Sequence, residues 1–303
     1  GLKDGQVKWR DYDGDGDLDF AASGLYAVNQ RRFYVFRNNG YDSFSIFSEP
    51  LGSGNGLEGS GLDWGDYDGD GLADLIASGQ YDLGGTKRLV IARNTGNMFS
   101  ITNEPFGASQ GVGASDVRWF DFDNDGDLDF IASGLDSVGS RKTIVFKNNN
   151  FGSSFTKFAE PLGYTTGLDN CAIDVGDFNN DGTVDFAISG DDSSNKQFII
   201  FKNNCNTINT RPDAPSLSNP LGLNFSQQND TIFFSWSGSG LDSQNTDSMV
   251  YYNLYIRKSG SDSMIISADT VSADSIGNNF GLTAASSNWK ILPNSLTEGI
   301  YYW

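Results

Sequence analysis

The sequence predicts an all-β chain: β-propeller blades in the first two-thirds and a β-sandwich after them. Three observations carry this. Four segments align without gaps: WRDYDGDGDLDFAASG from Trp9, WGDYDGDGLADLIASG from Trp64, WFDFDNDGDLDFIASG from Trp119 and VGDFNNDGTVDFAISG from Val175. Each segment is flanked by runs of β-branched and aromatic residues bounded by Gly, Asn and Ser, the pattern of strands. Beyond residue 215 the texture changes to alternating runs without the Asp-rich segment.

The repeats come first. The leading aspartates Asp11, Asp66, Asp121 and Asp177 recur about every 55 residues, which marks one supersecondary unit copied in series. Each unit reads as four strands. A short stretch ends at Trp9, Trp64, Trp119 or Val175. An apolar run such as LDFAASG (Leu18 to Gly24) follows the Asp-rich segment. The third strand is FYVFRNN from Phe33, LVIARNT from Leu89, TIVFKNN from Thr143 or FIIFKNN from Phe198, each closing on turn residues. A weaker fourth run, FSIFSEPLG from Phe44, has counterparts ending at Glu104-Pro105 and Glu160-Pro161, and proline suits an outer edge strand where no ladder N–H is needed. Four short antiparallel strands in each roughly 50-residue unit is the arithmetic of a propeller blade. The fourth unit lacks its fourth strand: after Asn204 the chain runs to Cys205, Thr207 and Arg211-Pro212. The expectation is a larger ring whose missing strand and further blades lie upstream of Gly1, so that the chain is part of a longer parent.

The segment between the first two strands reads Asp-x-[Asp/Asn]-x-Asp-Gly-x-x-Asp. Calcium takes six to eight oxygen ligands in a flexible arrangement, and alternate residues of a tight loop can aim oxygens at one centre. Positions 1, 3 and 5 supply side-chain oxygens, position 7 a backbone carbonyl and position 9 a closing carboxylate, with Gly at position 6 for the sharp turn. The candidate ligands are Asp11, Asp13, Asp15, Asp17 (carbonyl) and Asp19 in loop 1 and Asp66, Asp68, Asp70, Leu72 (carbonyl) and Asp74 in loop 2. In loop 3 they are Asp121, Asp123, Asp125, Asp127 (carbonyl) and Asp129, and in loop 4 Asp177, Asn179, Asp181, Thr183 (carbonyl) and Asp185. One calcium per loop, four in the chain, is expected, with loop 4 weakest because Asn179 is neutral. The bland reading of one such loop is a solvated acidic turn. Repetition in register argues against it, because four carboxylates on nine residues repel strongly without a cation. Magnesium suits the loop less, since it demands tighter octahedral geometry. An EF-hand would place a bidentate Glu at position 12 and helices on either side. Position 12 is Ala22, Ala77, Ala132 or Ile188 and the flanks are strands. With every ligand position filled by protein, the loops read as structural and not catalytic.

Composition narrows the rest. The 303 residues include 39 acidic and 20 basic side chains, a net charge of −19, which repels a nucleic-acid backbone. The chain is 38% hydrophobic and 13% aromatic, enough for a packed core, yet no apolar run is long enough to span a membrane. There is no histidine, which removes His bases, His triads and His-ligated zinc. Cys171 and Cys205 fall at opposite ends of two strands expected to run parallel, too far apart to bridge, so two free buried thiols are expected.

Over residues 5 to about 204 the repeat resembles the FG-GAP or VCBS family, seen in the propeller of integrin α-subunits and in many bacterial secreted proteins. The Asp positions correspond one for one, while Ala-Ser-Gly or Ile-Ser-Gly follows each loop in place of the tripeptides of the family name. The resemblance implies propeller blades with calcium loops between their first two strands, a secreted or cell-surface setting of the bacterial type, and roles in adhesion, in protein contacts or beside polysaccharide-acting enzymes.

The expected domains are blades over 1–206, a linker over 207–214 with prolines nearby at Pro212, Pro215 and Pro220, and a sandwich over 215–303 that is incomplete as given. The sandwich strands include TIFFSWS (Thr231 to Ser237) and VYYNLYIRK (Val250 to Lys258). Trp236 and the Leu296-x-x-Gly299-x-Tyr301 pattern resemble the core Trp and tyrosine corner of a fibronectin type III domain. Tyr251, Tyr252 and Tyr255 read as core and cross-strand packing, with a sugar platform as the sharper alternative. The expected function is a non-catalytic, extracellular, calcium-stabilised interaction or adhesion module that contacts a protein or glycan, without nucleic acid or membrane insertion. The alternative is a carbohydrate-binding accessory region of a secreted polysaccharide-acting enzyme.

Overall fold

A computed structural model describes residues 1–205 apart from 16, 41–42, 108–109 and 164–165, together with eight short strands between 216 and 302. Every regular element among the described residues is a β-strand. The chain divides into two compact units, Gly1–Ile208 and Asn209–Trp303.

The first unit is four successive antiparallel sheets, each laid out in chain order. Sheet 1 holds β1 (Lys3–Arg10), β2 (Asp19–Ala27), β3 (Gln30–Asn38) and β4 (Phe44–Ser48). Sheet 2 holds β5 (Glu58–Gly65), β6 (Asp74–Gln80), β7 (Lys87–Asn94) and β8 (Phe99–Asn103). Sheet 3 holds β9 (Gly113–Phe120), β10 (Asp129–Leu135), β11 (Arg141–Asn149) and β12 (Ser154–Ala159). Sheet 4 has three strands, β13 (Asp169–Gly176), β14 (Asp185–Asp191) and β15 (Lys196–Phe201). This is the blade-like arrangement of short antiparallel sheets that the repeat predicts. Pro50, Pro105 and Pro161 fall just past the edge strands β4, β8 and β12 and not within them, so no ladder bond is interrupted.

Sheets are joined to their neighbours by apolar cores, one per junction. The first takes Ala21, Phe33 and Val35 from sheet 1 with Leu62, Trp64, Leu75 and Val90 from sheet 2. The second takes Ile76, Leu89 and Ile91 with Val117, Trp119, Phe130 and Ile144. The third takes Phe120, Ile131 and Val145 with Ile173, Phe186 and Ile188. Alternation along each strand sends successive side chains to opposite faces, so sheets 2 and 3, covered on both sides, are buried on both. Trp64 and Trp119 are 3% and 5% exposed, whereas Trp9, at the same repeat position on the open face of sheet 1, is 53% exposed. Phe198 and Ile200 are likewise exposed on sheet 4, as is Phe178 in the loop between β13 and β14.

The junctions are keyed by aromatic and polar contacts. Tyr12, the second residue of loop 1, stacks on Trp64 of the next sheet with centroids 6.0 Å apart and planes 6° off parallel. Tyr67 repeats this on Trp119 at 5.9 Å. The Ala-Ser-Gly serines reach the next sheet: Ser23 Oγ donates to the Leu57 carbonyl at 2.9 Å and Ser133 Oγ to that of Leu168 at 2.8 Å, just before β5 and β13, while the Ser78 hydroxyl pairs with that of Ser115 on β9 at 2.8 Å. Gly111 must be glycine, since a Cβ there would lie 2.2 Å from the Arg88 backbone. First strands also meet one another: Asp63 accepts the Trp119 N–H at 2.9 Å and Asp116 that of Ile173 at 2.8 Å.

Cys171 and Cys205 are free, as expected, but half-buried where full burial is the sequence expectation. Burial pushes the Cys171 thiol up to about 12, and it donates to the Ser133 carbonyl at 3.3 Å.

The described strands of the second unit form three small antiparallel sheets. In one, β16 (Ser216–Asn219) and β22 (Asn288–Ile291) flank β17 (Ile232–Ser237). In another, β18 (Tyr251–Tyr252) pairs with β21 (Leu282–Thr283). In the third, β20 (Met264–Ile266) and β23 (Tyr301–Tyr302) flank β19 (Ile256–Lys258). Trp236 lies on β17 opposite Leu217, and Tyr301 on β23 opposite Lys258. Tyr255, Leu296, Gly299 and the expected linker lie outside the described residues, as do the side chains of Trp236, Tyr251, Tyr252 and Tyr301.

Candidate metal centre

Each Asp-rich segment is the connection from the first strand of a sheet to the second. The register sets its ends: Arg10 pairs with Asp19, Gly65 with Asp74, Phe120 with Asp129 and Gly176 with Asp185. The closing aspartate is therefore the first residue of the returning strand, held by the ladder before its side chain does anything.

Inside the loop the backbone turns through left-handed residues. Position 6 has φ of +88° at Gly71, +93° at Gly126 and +83° at Gly182, as the turn requires; Gly16 lies outside the described residues. Position 4 is left-handed as well, occupied by Gly14, Gly69, Asn124 and Asn180, the residue types that tolerate it. Two left-handed residues two apart fold positions 1, 3 and 5 toward one another. Asp11, Asp13 and Asp15 each offer a carboxylate oxygen, all within 4.8 Å of one another, and so do Asp66, Asp68 and Asp70. In loop 3 the group so gathered is Asp121, Asp123 and Asp129. Loop 4, with Asn179 at position 3, gathers no such trio of carboxylates among the described residues.

The carboxylates divide their oxygens between the backbone and the loop interior. Position 1 accepts N–H groups ahead of it: Asp66 from Asp70 and Gly71 at 3.1 and 2.9 Å, Asp121 from Asp125 and Gly126 at 3.2 and 3.0 Å, Asp177 from Asp181 and Gly182 at 3.1 and 2.9 Å. Position 5 accepts from position 7, at 3.0 Å for Asp15–Asp17, 2.9 Å for Asp70–Leu72, 3.2 Å for Asp125–Asp127 and 3.1 Å for Asp181–Thr183. Position 9 accepts twice, from position 2 and from an asparagine at the end of the third strand; Asn38, Asn94, Asn148 and Asn203 donate their N–H to Asp19, Asp74, Asp129 and Asp185, each at 2.7 Å. Three carboxylate oxygens, Asp68 Oδ1, Asp123 Oδ1 and Asp127 Oδ1, are buried with no hydrogen-bond donor. An unmet buried acceptor of this kind is costly unless a cation meets it.

The electrostatics agree. Burial raises Asp66 to about 6, Asp19 and Asp121 to about 7 and Asp129 to about 8, and holds Asp74 well above the usual carboxylate range. Backbone donors oppose this shift and neighbouring loop aspartates add to it. The donor set is oxygen only, anionic and flexible, which fits a hard divalent ion such as calcium.

Two residue classes at the site are absent from the expected ligand lists. The asparagine amides cross between sheets: Asn94 Nδ2 donates to the Tyr12 carbonyl at 3.3 Å, Asn148 Nδ2 to that of Tyr67 at 2.8 Å and Asn203 Nδ2 to that of Phe122 at 2.6 Å. Each thus ties its own loop to the loop of the preceding sheet. The residue before each asparagine is a cation, Arg37, Arg93, Lys147 or Lys202, and pairs with loop carboxylates. The signal was present as Arg-Asn or Lys-Asn at the end of the third strands β3, β7 and β11 and just past β15.

Residues 11–77 match the family model described as an FG-GAP-like repeat, a span running from the first loop through the second and into β6. Comparison with curated proteins returns no match. FG-GAP-like repeats are generally non-catalytic interaction modules of extracellular proteins and often bind calcium. No helix among the described residues is long and apolar enough to cross a membrane.

Proposed function

We propose that the first unit is a calcium-stabilised interaction or adhesion module of a secreted or surface-exposed protein, contacting protein or glycan and performing no chemistry itself. The observation that carries this reading is the buried, mutually repelling carboxylate set of the loops, with oxygens that no protein donor meets. A calcium ion would supply the missing positive charge. It would be held by positions 1, 3, 5 and 9 and the position-7 carbonyls of Asp17, Leu72, Asp127 and Thr183, one ion per loop. The second unit, read as a fibronectin type III-like sandwich, would serve as a neighbouring module.

The chain's own residues prepare such sites. Backbone N–H groups orient positions 1 and 5, and the ladder fixes position 9. The asparagine amides couple loops of adjacent sheets, so filling the loops would stiffen the packing of one sheet on the next. Extracellular calcium is abundant enough to fill even weak sites.

The test is calcium content and thermal stability of the purified chain. Bound calcium is expected, with a melting temperature at least 10 °C higher in millimolar calcium than in chelator, since a ligand at 100 times its Kd contributes about 2.7 kcal/mol per site. Loop 4, lacking one carboxylate, should empty first as calcium is lowered. Equal melting in chelator and calcium with no metal bound would falsify the reading. A calcium-dependent screen against glycans and proteins then separates a general adhesion module from a glycan-binding accessory.

A further inference from the structure

The loops meet a cation before they meet any metal. Arg37, Arg93 and Lys147 lie at or near the ends of β3, β7 and β11, and Lys202 follows β15. Arg37 Nη2 is 3.0 Å from Asp13 Oδ2 and 3.3 Å from Asp15 Oδ2. Arg93 places Nε 2.5 Å from Asp68 Oδ2 and Nη2 2.8 Å from Asp70 Oδ2. Lys147 pairs with Asp123 and lies 2.8 Å from Asp125 Oδ2. Lys202 makes a single pair, 2.9 Å from Asp181 Oδ2, because the other partner position is the neutral Asn179.

The oxygens taken are the ones left over. At position 5 the Oδ1 of each aspartate is committed to the N–H of position 7, and the cation takes Oδ2, the oxygen still free to face an ion. At position 3 of loops 2 and 3 the cation takes Oδ2 while the buried Oδ1 stays without a donor. Thus the cation neutralises the outer part of the loop and leaves its interior unmet.

We propose that Arg37, Arg93, Lys147 and Lys202 are built-in counter-ions that hold the metal-free loops together and set their calcium affinity by competing for the carboxylates at positions 3 and 5. The proposal rests on the calcium reading above. A divalent ion and a monovalent cation roughly 6 Å apart in a water-like dielectric repel by enough to weaken binding about tenfold. The side chains of Arg37 and Arg93 are 44% and 41% exposed, so either head group can swing into solvent on a flexible stem without being desolvated. The competing role carries a signature: the cation stabilises the empty loop and opposes the filled one. A residue that merely orients the ligands from behind would support both.

The experiment uses the full chain, calcium titration calorimetry and melting in chelator, on wild type, Arg93→Gln and Arg93→Lys. The expected result is opposite signs for Arg93→Gln: a lower melting temperature in chelator, and one site binding calcium about tenfold more tightly. Arg93→Lys should resemble wild type in both. Calcium bound equally well or more weakly by Arg93→Gln overturns the counter-ion role while leaving the calcium reading intact. Absence of calcium uptake by wild type removes the calcium reading and this inference with it. Lys202→Gln covers the case in which Arg93→Gln does not fold: with one bridge to lose it should tighten loop 4 by a smaller factor, and no tightening there also counts against the proposal.

Discussion

Asn94 shows how one side chain can serve two sheets. Its N–H closes its own loop on Asp74, its amide oxygen accepts the Gly96 N–H at 2.9 Å, and its amide nitrogen donates to the carbonyls of Ala73 and Tyr12. The side-chain amide of Asn38, in sheet 1, donates to the Leu18 carbonyl within its own sheet. Truncation at 94 strands two buried carbonyls, so Asn94→Ala should cost about 2–3 kcal/mol in urea unfolding and Asn38→Ala nearer 1 kcal/mol. Equal costs would mean that the bond between sheets contributes nothing. The carboxylate clusters of loops 1 to 3 were legible because their aspartates fall at alternate positions of one short segment and the pattern is local. The role of the asparagines was not. An Asn at a strand end reads as a turn residue, and nothing local reveals a partner carbonyl 82 residues away. The position-4 residues Gly14, Gly69, Asn124 and Asn180 also passed unread, although their types alone admit left-handed backbone.

At the scale of the element, the strands follow from hydrophobic pattern and turn chemistry, and the runs from Phe33, Leu89, Thr143 and Phe198 all fall on third strands. What the pattern could not give was each strand's surroundings, because identical repeat positions see different neighbours. Trp64 is clasped by Tyr12 and Phe99, with its indole N–H donated to the Lys8 carbonyl at 3.1 Å. Among the described residues, the aromatic partners of Trp9 are Phe20 and Phe44 of its own sheet. Trp64→Ala should therefore cost about 3–5 kcal/mol, the range for emptying a buried aromatic site, and Trp9→Ala about 1 kcal/mol. Thermal or urea unfolding of the two variants side by side decides it. Comparable losses would show that the open face of sheet 1 is covered in solution.

Across the whole molecule the net charge of −19 has a consequence that depends on pH. Carboxyls raised by burial prefer the protonated form in the folded state. Burial raises Asp66 to about 6, Asp19 and Asp121 to about 7 and Asp129 to about 8, above the ordinary aspartate value of 3.8. The stability such groups contribute is complete below the unfolded value and is lost as pH rises through the folded one. Asp181, drawn down to about 2 by the Thr183 hydroxyl and Lys202, has the opposite sign, but its contribution disappears only in strong acid. Between pH 5 and pH 8 the raised group governs, so in chelator the melting temperature should fall by several degrees across that interval. Saturating calcium replaces the proton as the neutralising charge, and the same interval should then be nearly flat, with calcium affinity itself rising with pH because each bound ion displaces protons. A chelated protein whose melting temperature rises from pH 5 to pH 8 would show that backbone donors and the strand-three cations already neutralise the loops, leaving no electrostatic demand for a metal.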